Sequence, residues 1–294
     1  MAILTGINTR LHKSAGDWTF MRNNNKTIAI QKVEKKAVPV RSRRQMLRRM
    51  PWANVVAMWS SFSGHLRPSF EKKGRGLNDF AAFMKANLGS NNVYLKRNEV
   101  SHGVCVVAPY TLTDGTLPAI TVVATSGGKM KSDIALGDLV IGAETKVSDF
   151  AKAVLENNAD YREGDQIACF LAQQVTVGEA NTPKVRMAAS RVVLDSDDDS
   201  LLLETVDEAG FASLDGHLAS KGSVNGGIAW VHSRMEKGKT KVSPQSLAVN
   251  NNLLALYTGT TALNAAIESY GGLNKEDYLT PDSGDEEEQE QVNP

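Results

Sequence analysis

A chain of 294 residues, 41% of them hydrophobic, is long enough to bury a core and corresponds to about two domains. Its formal net charge is zero, which excludes a uniformly basic or acidic protein, but the charge is unevenly distributed. Residues 1–76 hold 16 Lys and Arg against three acids, a balance of +13, and the rest of the chain carries the compensating −13. This asymmetry predicts an anionic partner for the first quarter of the chain; the alternative is that the basic region balances its own acidic tail.

The two cysteines, Cys105 and Cys169, each lie in an apolar run typical of a strand. They allow one disulfide, but we favour two buried free thiols in a reducing compartment. No segment approaches about 18 consecutive apolar residues, and the first residues lack the charged start and apolar core of a signal peptide. We therefore expect a soluble protein without a membrane partner that is not secreted by a signal peptide.

The first predicted element is a β-hairpin. Residues 17–21 and 27–31 alternate in polarity around 22–26, where three asparagines suit a tight turn. The following residues 32–40 are too charged to bury, so we predict an extended arm that leads into the next element.

Residues 40–62 join a basic cluster to an apolar helical face. The face has i, i+3, i+4 and i+7 spacing and consists of Val55, Met58, Trp59 and Phe62. Pro51 predicts either a kink or a second helix that begins with Pro51 at its first position, and we favour the second helix. We interpret Trp52 and Trp59 as core residues, because aromatic residues at helical spacing usually face a core.

The next predicted helix begins at the N-cap Asn78 and stops at Gly89, and we expect it to pack against Trp59. Short strands are predicted at 93–95 and 103–107. From about residue 116 the pattern is typical of strands, at 119–124, 138–141, 167–177, 185–194, 201–206, 227–235 and 253–257. Two helices are predicted among them, 149–157 with Ser148 as N-cap, and one that Thr260 or Thr261 caps and Gly271 ends.

The fold class predicted from these elements is α+β. A basic N-terminal hairpin and helices (1–115) precede a mainly antiparallel, sandwich-like β domain (116–272). The acidic residues 273–294 are predicted to form a disordered tail, because they contain almost nothing apolar.

The search for catalytic and metal-binding motifs gives negative results. Residues 238–240 resemble the end of a phosphate-binding loop, but Ser233 occupies the position of its first glycine. The acidic run 195–199 resembles a calcium loop but lacks the required glycine and glutamate, so a solvated hairpin turn is favoured. The five histidines show no metal-ligand spacing. We predict a non-enzymatic protein with no catalytic residues, metal or cofactor; a site assembled from distant residues is the alternative.

Short motifs at residues 4–6, 16–20, 26–29, 44–49, 52–54, 230–234 and 242–245 together span most of the chain. They resemble those of a family of uncharacterised small proteins of gut bacteria and their phages. Its members share a basic N-terminal third and a β-sandwich-like remainder, and Pro51 departs from the smoother helix of that family. The resemblance implies no catalytic residues, and its phage setting implies a place in the virion or in the cytoplasm of the host bacterium.

The function predicted from these observations is that of a structural protein of a phage virion, in the head, the portal–tail junction ring or the cargo. It would assemble with itself or with other structural subunits. The alternative is non-specific binding of DNA through the basic arm and helix. The residues predicted to bind a polyanion or a protein partner are Lys32, Lys35, Lys36, Arg41, Arg43, Arg44, Arg48 and Arg49.

Overall fold

The computed structural model describes residues 41–65, 69–71, 73, 77–179 and 181–273, together with the backbone of four strands among the first 40 residues. The chain divides into two compact units, of which the first ends at Val40 and the second begins at Arg41. The first unit is an antiparallel sheet in the order β1-β4-β3-β2, formed by β1 (Ala2–Leu4), β2 (Lys13–Ala15), β3 (Trp18–Asn23) and β4 (Lys26–Gln31). The predicted arm at 32–40 and the acidic tail beyond Leu273 lie outside the described residues.

The second unit begins with four helices and continues with strands and three further helices. The helices are α1 (Arg43–Arg49), α2 (Trp52–Phe62), α3 (Asp79–Asn87), α4 (Arg97–Ser101), α5 (Val147–Asn157), α6 (Leu202–Thr205) and α7 (Gly259–Ser269). The strands up to the long hairpin are β5 (Thr111–Thr113), β6 (Val122–Ala124), β7 (Met130–Ala135), β8 (Gln166–Val177) and β9 (Thr182–Val193). The later strands are β10 (Ala212–Leu214), β11 (His217–Ala219), β12 (Gly226–Glu236), β13 (Lys239–Val242), β14 (Gln245–Ser246) and β15 (Ala248–Asn250).

A central antiparallel sheet organises this unit. Its strand order is β13-β12-β8-β9, and β15 pairs with the other end of β12. Successive side chains of a strand point to opposite faces, so β8 and β12 supply two hydrophobic cores at once. Cys169 and Trp230 belong to one core, whereas Phe170 and Val231 belong to the other. The predicted α+β class with antiparallel sheets is therefore confirmed.

The first core lies between the sheet and helices α2 and α3. Trp59 packs on Phe80 and Phe83 with ring centroids 5.9 and 5.2 Å apart, as predicted. Asn78 accepts a hydrogen bond from the Ala81 N–H as the N-cap of α3. Residues between 55 and 112 share this core with residues of the sheet that come after 115 in the sequence. The domain boundary predicted between 115 and 116 stays a prediction.

The second core lies on the opposite face of the sheet, under α5 and a smaller antiparallel sheet in the order β10-β11-β7-β6. Trp230 is fully buried there and donates a hydrogen bond from Nε1 to the Gly210 carbonyl. Cys105 and Cys169 are free and buried on opposite faces, which confirms the interpretation as two thiols.

Five predicted strands have a different structure, and three of them are described first. Residues 103–107 form no strand. The N–H groups of Gly103 and Val104 bond to carbonyls of α4, and the Cys105 N–H donates to the Pro183 carbonyl of β9. The next two N–H groups donate to the side chains of Asn54 and Gln174. Val106 N–H donates to Asn54 Oδ1 and Val107 N–H to Gln174 Oε1, both at 2.8 Å. Residues 201–206 contain α6, and residues 253–257 contain a 3₁₀ helix at Leu254–Tyr257. Short apolar runs do not distinguish a strand from a buried helical turn, which explains both errors.

The other two predicted strands, at 138–141 and 93–95, are not formed. Further differences concern the ends of helices. Helix α5 begins at Val147 with Lys146 as its N-cap, so Ser148 lies inside it, and α7 is capped by Thr258 and not by Thr260 or Thr261. Pro51 separates α1 from α2, which confirms the two-helix interpretation with Pro51 as the capping residue.

Candidate functional site

Helix α1 displays four arginines on its outer surface. Met46 and Met50 point inward and pack on Leu263 and Ile267 of α7, so the opposite side of the helix faces outward. Gln45, Leu47 and four arginines of α1 are exposed, and Arg44 and Arg48 lie opposite the methionines by helical spacing. We call the four arginines, Arg43, Arg44, Arg48 and Arg49, the basic face of α1. No acidic residue lies in the first turn of α1, and Arg48 and Arg49 lie in its last turn, where cations are favoured by the helix dipole.

The other predicted binding residues are placed differently. Arg41 is half-buried and donates a hydrogen bond from Nη1 to the Tyr270 carbonyl at the end of α7. This contact gives Arg41 a role in joining α1 to α7. Lys32, Lys35 and Lys36 lie outside the described residues.

Two apolar side chains close in sequence to the basic face of α1 are exposed. Leu47 is 38% exposed and Trp52, at the start of α2, is 48% exposed. The interpretation of Trp52 as a core residue is therefore wrong, whereas Trp59 packs within the first core. Trp52 is the first residue after the Pro51 break, where the buried stripe of α2 has not yet begun.

A second group of interest is buried at one end of the central sheet. Asp165, immediately before β8, accepts a 2.7 Å hydrogen bond from His232 Nε2 of β12. Its two oxygens also accept hydrogen bonds of 2.8 and 2.6 Å from Nε and Nη2 of Arg234. The side chains of His232 and Asp165 are 1% and 2% exposed. We call Asp165, His232 and Arg234 the buried triad.

The charge state of the buried triad follows from its contacts. Burial raises the pKa of Asp165, but hydrogen bonds from Arg234, His232 and the Arg162 N–H outweigh it and leave the pKa below its ordinary value. Burial lowers the pKa of His232 despite the nearby carboxylate. Asp165 is therefore ionised and His232 neutral near pH 7. Because the carboxylate carries no proton, the imidazole donates from Nε2, and Nδ1 holds the lone pair.

The sheet register brings the buried triad together. Ser233 pairs with Gln166 across β12 and β8, so Arg234 and Asp165 follow as the next opposed residues. Sequence analysis missed this group. The available signal was the alternation of Trp230, His232 and Arg234 on one face of an otherwise apolar strand, but their partner lies in a predicted turn more than 60 residues earlier.

A cavity of about 190 Å³ opens beside His232 on the second-core face of the sheet. The ring of Tyr161 stacks on His232 with centroids 4.3 Å apart. Two acidic residues, Asp133 and Asp160, also line the cavity. The remaining lining residues are Pro118, Ala119, Ile120, Ile134, Asn158 and Ala159.

The acidic run 195–199 forms a turn between β9 and α6, and it is not the hairpin turn that was predicted. The backbone of this turn stabilises the first turn of α5, because the Asp198 carbonyl accepts a 2.9 Å hydrogen bond from the Ser148 N–H. Lys146 pairs with Asp199 at 2.7 Å on the surface. Within the described residues, no group of three or more His, Cys, Asp or Glu is arranged to hold a metal ion.

No protein-family model, curated protein or solved structure matches this chain. The resemblance to proteins of gut bacteria and phages therefore stays a prediction. Among the helices that the structure describes, none is long and apolar enough to cross a membrane.

Proposed function

We propose that this chain is a structural protein that acts through protein–protein assembly, in the phage virion that its sequence resemblance implies. The basic face of α1, with Leu47 and Trp52, is the surface that would contact a neighbouring subunit. The observation that carries this proposal is that α1 exposes a leucine together with four arginines, and that α2, which follows directly in the chain, begins with a half-exposed tryptophan.

The composition of this surface favours a protein partner. Arginine and tryptophan are enriched at protein interfaces and at the few positions that dominate binding energy. The planar guanidinium group also pairs with carboxylates through two parallel hydrogen bonds, and the chain beyond residue 76 has an excess of acidic residues. A subunit of the same kind therefore offers carboxylates for these arginines.

The test is the mass of the protein in solution as a function of concentration. We expect the parent protein to form a homo-oligomer or to bind particles, and the variant with Arg43, Arg44, Arg48 and Arg49 changed to Ala to dissociate at least about tenfold more readily. Trp52→Ala should weaken association in the same direction. A matched control replaces four exposed basic residues elsewhere, Lys85, Lys152, Arg186 and Lys239, with Ala. A monomeric parent that binds no particles, or equal effects of both quadruple variants, would contradict the proposal.

Non-specific DNA binding is the second candidate, and the grouping of four arginines on one helix is the observation that favours it. If about six basic residues contact duplex phosphates, counterion release gives a log–log salt slope of about −5, and affinity falls about a thousandfold between 50 and 200 mM salt. The measurement is a DNA titration at several salt concentrations. A slope that is the same in the α1 quadruple variant, or no binding at low salt, would mean that the basic face of α1 does not contact phosphate.

A further inference from the structure

The cavity beside His232 combines the lone pair of His232 Nδ1 with an acidic wall. In the described part of the chain, the sealed side-chain polar atoms that lack a hydrogen bond are Asn92 Oδ1 and Gln245 Nε2. His232 Nδ1 also accepts no hydrogen bond from a described residue, but it is not sealed, since His232 lines the cavity. This nitrogen therefore opens onto the cavity as an acceptor without a protein partner, and it is suited to a ligand that donates a hydrogen bond.

The charge of the cavity wall selects the kind of donor. The lining contains two acidic residues, Asp133 and Asp160, and no Lys or Arg. The charge of Asp165 is already matched by Arg234, which does not line the cavity. A cationic ligand is therefore favoured and an anionic one disfavoured.

The walls are held in place before any ligand arrives. The Thr121 N–H donates to Asp133 Oδ2 at 2.9 Å, and Arg234 Nη2 donates to the Asp160 carbonyl at 2.7 Å. The stacked ring of Tyr161 fixes the plane of the imidazole, and Asp165 fixes its tautomer. Such preorganisation reduces the entropy lost on binding.

We propose that this cavity binds a primary ammonium group, which donates one hydrogen bond to His232 Nδ1 and contacts the carboxylates of Asp133 and Asp160. A primary ammonium has three donors, which His232 Nδ1, Asp133 and Asp160 would accept. The volume of about 190 Å³ is below the roughly 300–1,000 Å³ of sites for drug-sized ligands, so it fits a small amine or a single side chain. Free alkylamines and the lysine side chain of a protein share this chemistry.

The test is titration of the full chain with n-butylammonium, with n-butanol and butyrate as neutral and anionic probes of similar shape. We expect saturable binding of n-butylammonium alone, accompanied by a change in the ¹⁵N chemical shift of His232 Nδ1. The double variant Asp133→Asn and Asp160→Asn should bind about tenfold or more weakly, because it removes two charges from the wall. Both residues are exposed, so the variant is expected to fold. Asp197→Asn, a single change of the same kind in an exposed acid away from the cavity, should leave affinity within about twofold.

A second probe, Nα-acetyl-lysine methylamide, separates the two sources of ammonium. Affinity equal to or above that of n-butylammonium indicates that a lysine side chain docks here, and weaker affinity indicates a free amine. Equal binding of the butanol or butyrate probe would overturn the proposal. So would saturable ammonium binding that the double variant leaves unchanged, or an unaltered Nδ1 resonance at saturation. None of these outcomes depends on whether the basic face of α1 mediates assembly.

Discussion

The arginines of α1 and Arg234 are the same residue type in opposite environments. Those of the basic face of α1 are exposed, whereas the Arg234 side chain is 14% exposed and makes two hydrogen bonds to an almost fully buried carboxylate. Exposed ion pairs contribute about 0–1 kcal/mol, but removal of one partner from a buried pair costs about 3–5 kcal/mol. The comparison indicates that Arg234 serves the fold, whereas the arginines of α1 lie on an exposed surface.

The largest expected effect comes from removing the acceptor of the buried triad. Asp165→Ala should lower the free energy of unfolding by about 3–5 kcal/mol, because it leaves the guanidinium of Arg234 and the Nε2–H of His232 without their partner. The measurement is urea denaturation of the variant and the parent at pH 7. Asp197→Asn, in an exposed turn, is the control and should change stability by less than about 0.5 kcal/mol. A loss below about 1 kcal/mol for Asp165→Ala would show that water replaces the carboxylate. The environments of Arg234 and of the α1 arginines would then differ less than the geometry indicates.

The difference between the two regions also bears on what a sequence reveals. The strands β8, β9 and β12 were predictable, because long runs rich in Val, Ile and Ala are bounded by turn residues. The basic face of α1 was predictable too, because its arginines are close together in the sequence. Trp52 was misassigned, since helical spacing alone does not say where a buried stripe begins.

The buried triad and the cavity depend on long-range pairing, which local patterns do not encode. Asp165 meets Arg234 only through the register of β8 against β12. Likewise, Val106 and Val107 depend on Asn54 and Gln174, two polar residues whose burial no local pattern indicated. Their side chains accept hydrogen bonds that a neighbouring strand would otherwise accept, and this contributes to the absence of the strand predicted at 103–107.

An intermediate effect is expected on acidification, and it would sharpen the contrast between buried and exposed charge. The folded-state pKa values of His232 and Asp165 both lie below their ordinary values. Between the folded-state pKa and the ordinary pKa of each residue, the unfolded chain binds more protons than the folded chain, so stability falls as pH decreases. The first pH window lies below about 6.5 and is due to His232, and the second lies below about 3.9 and is due to Asp165. Urea denaturation at pH 7 and pH 5 measures the first window.

The control for this pH dependence is His232→Asn, which should show a smaller loss of stability between pH 7 and pH 5 than the parent protein, whatever its stability at pH 7. Stability that rises on acidification in the parent would mean that the carboxylate of Asp165 raises the pKa of His232 more than burial lowers it.

The smallest expected effect comes from single changes in the exposed arginines of α1. Arg48→Ala and Arg49→Ala should each change the free energy of unfolding by less than about 0.5 kcal/mol. Each change removes a favourable cation from the last turn of α1, a contribution of about 0.3–1 kcal/mol, but alanine has a slightly better helix propensity, and the two effects partly cancel. Met46→Ala, on the inner side of the same helix, is the matched control and should cost about 2–5 kcal/mol, since Met46 is buried against α7. Thermal or urea denaturation under dilute, monomeric conditions measures all three. A loss above about 1 kcal/mol for either arginine would indicate that it has a partner within the chain. Such a loss would weaken the proposal that the basic face of α1 binds an external partner.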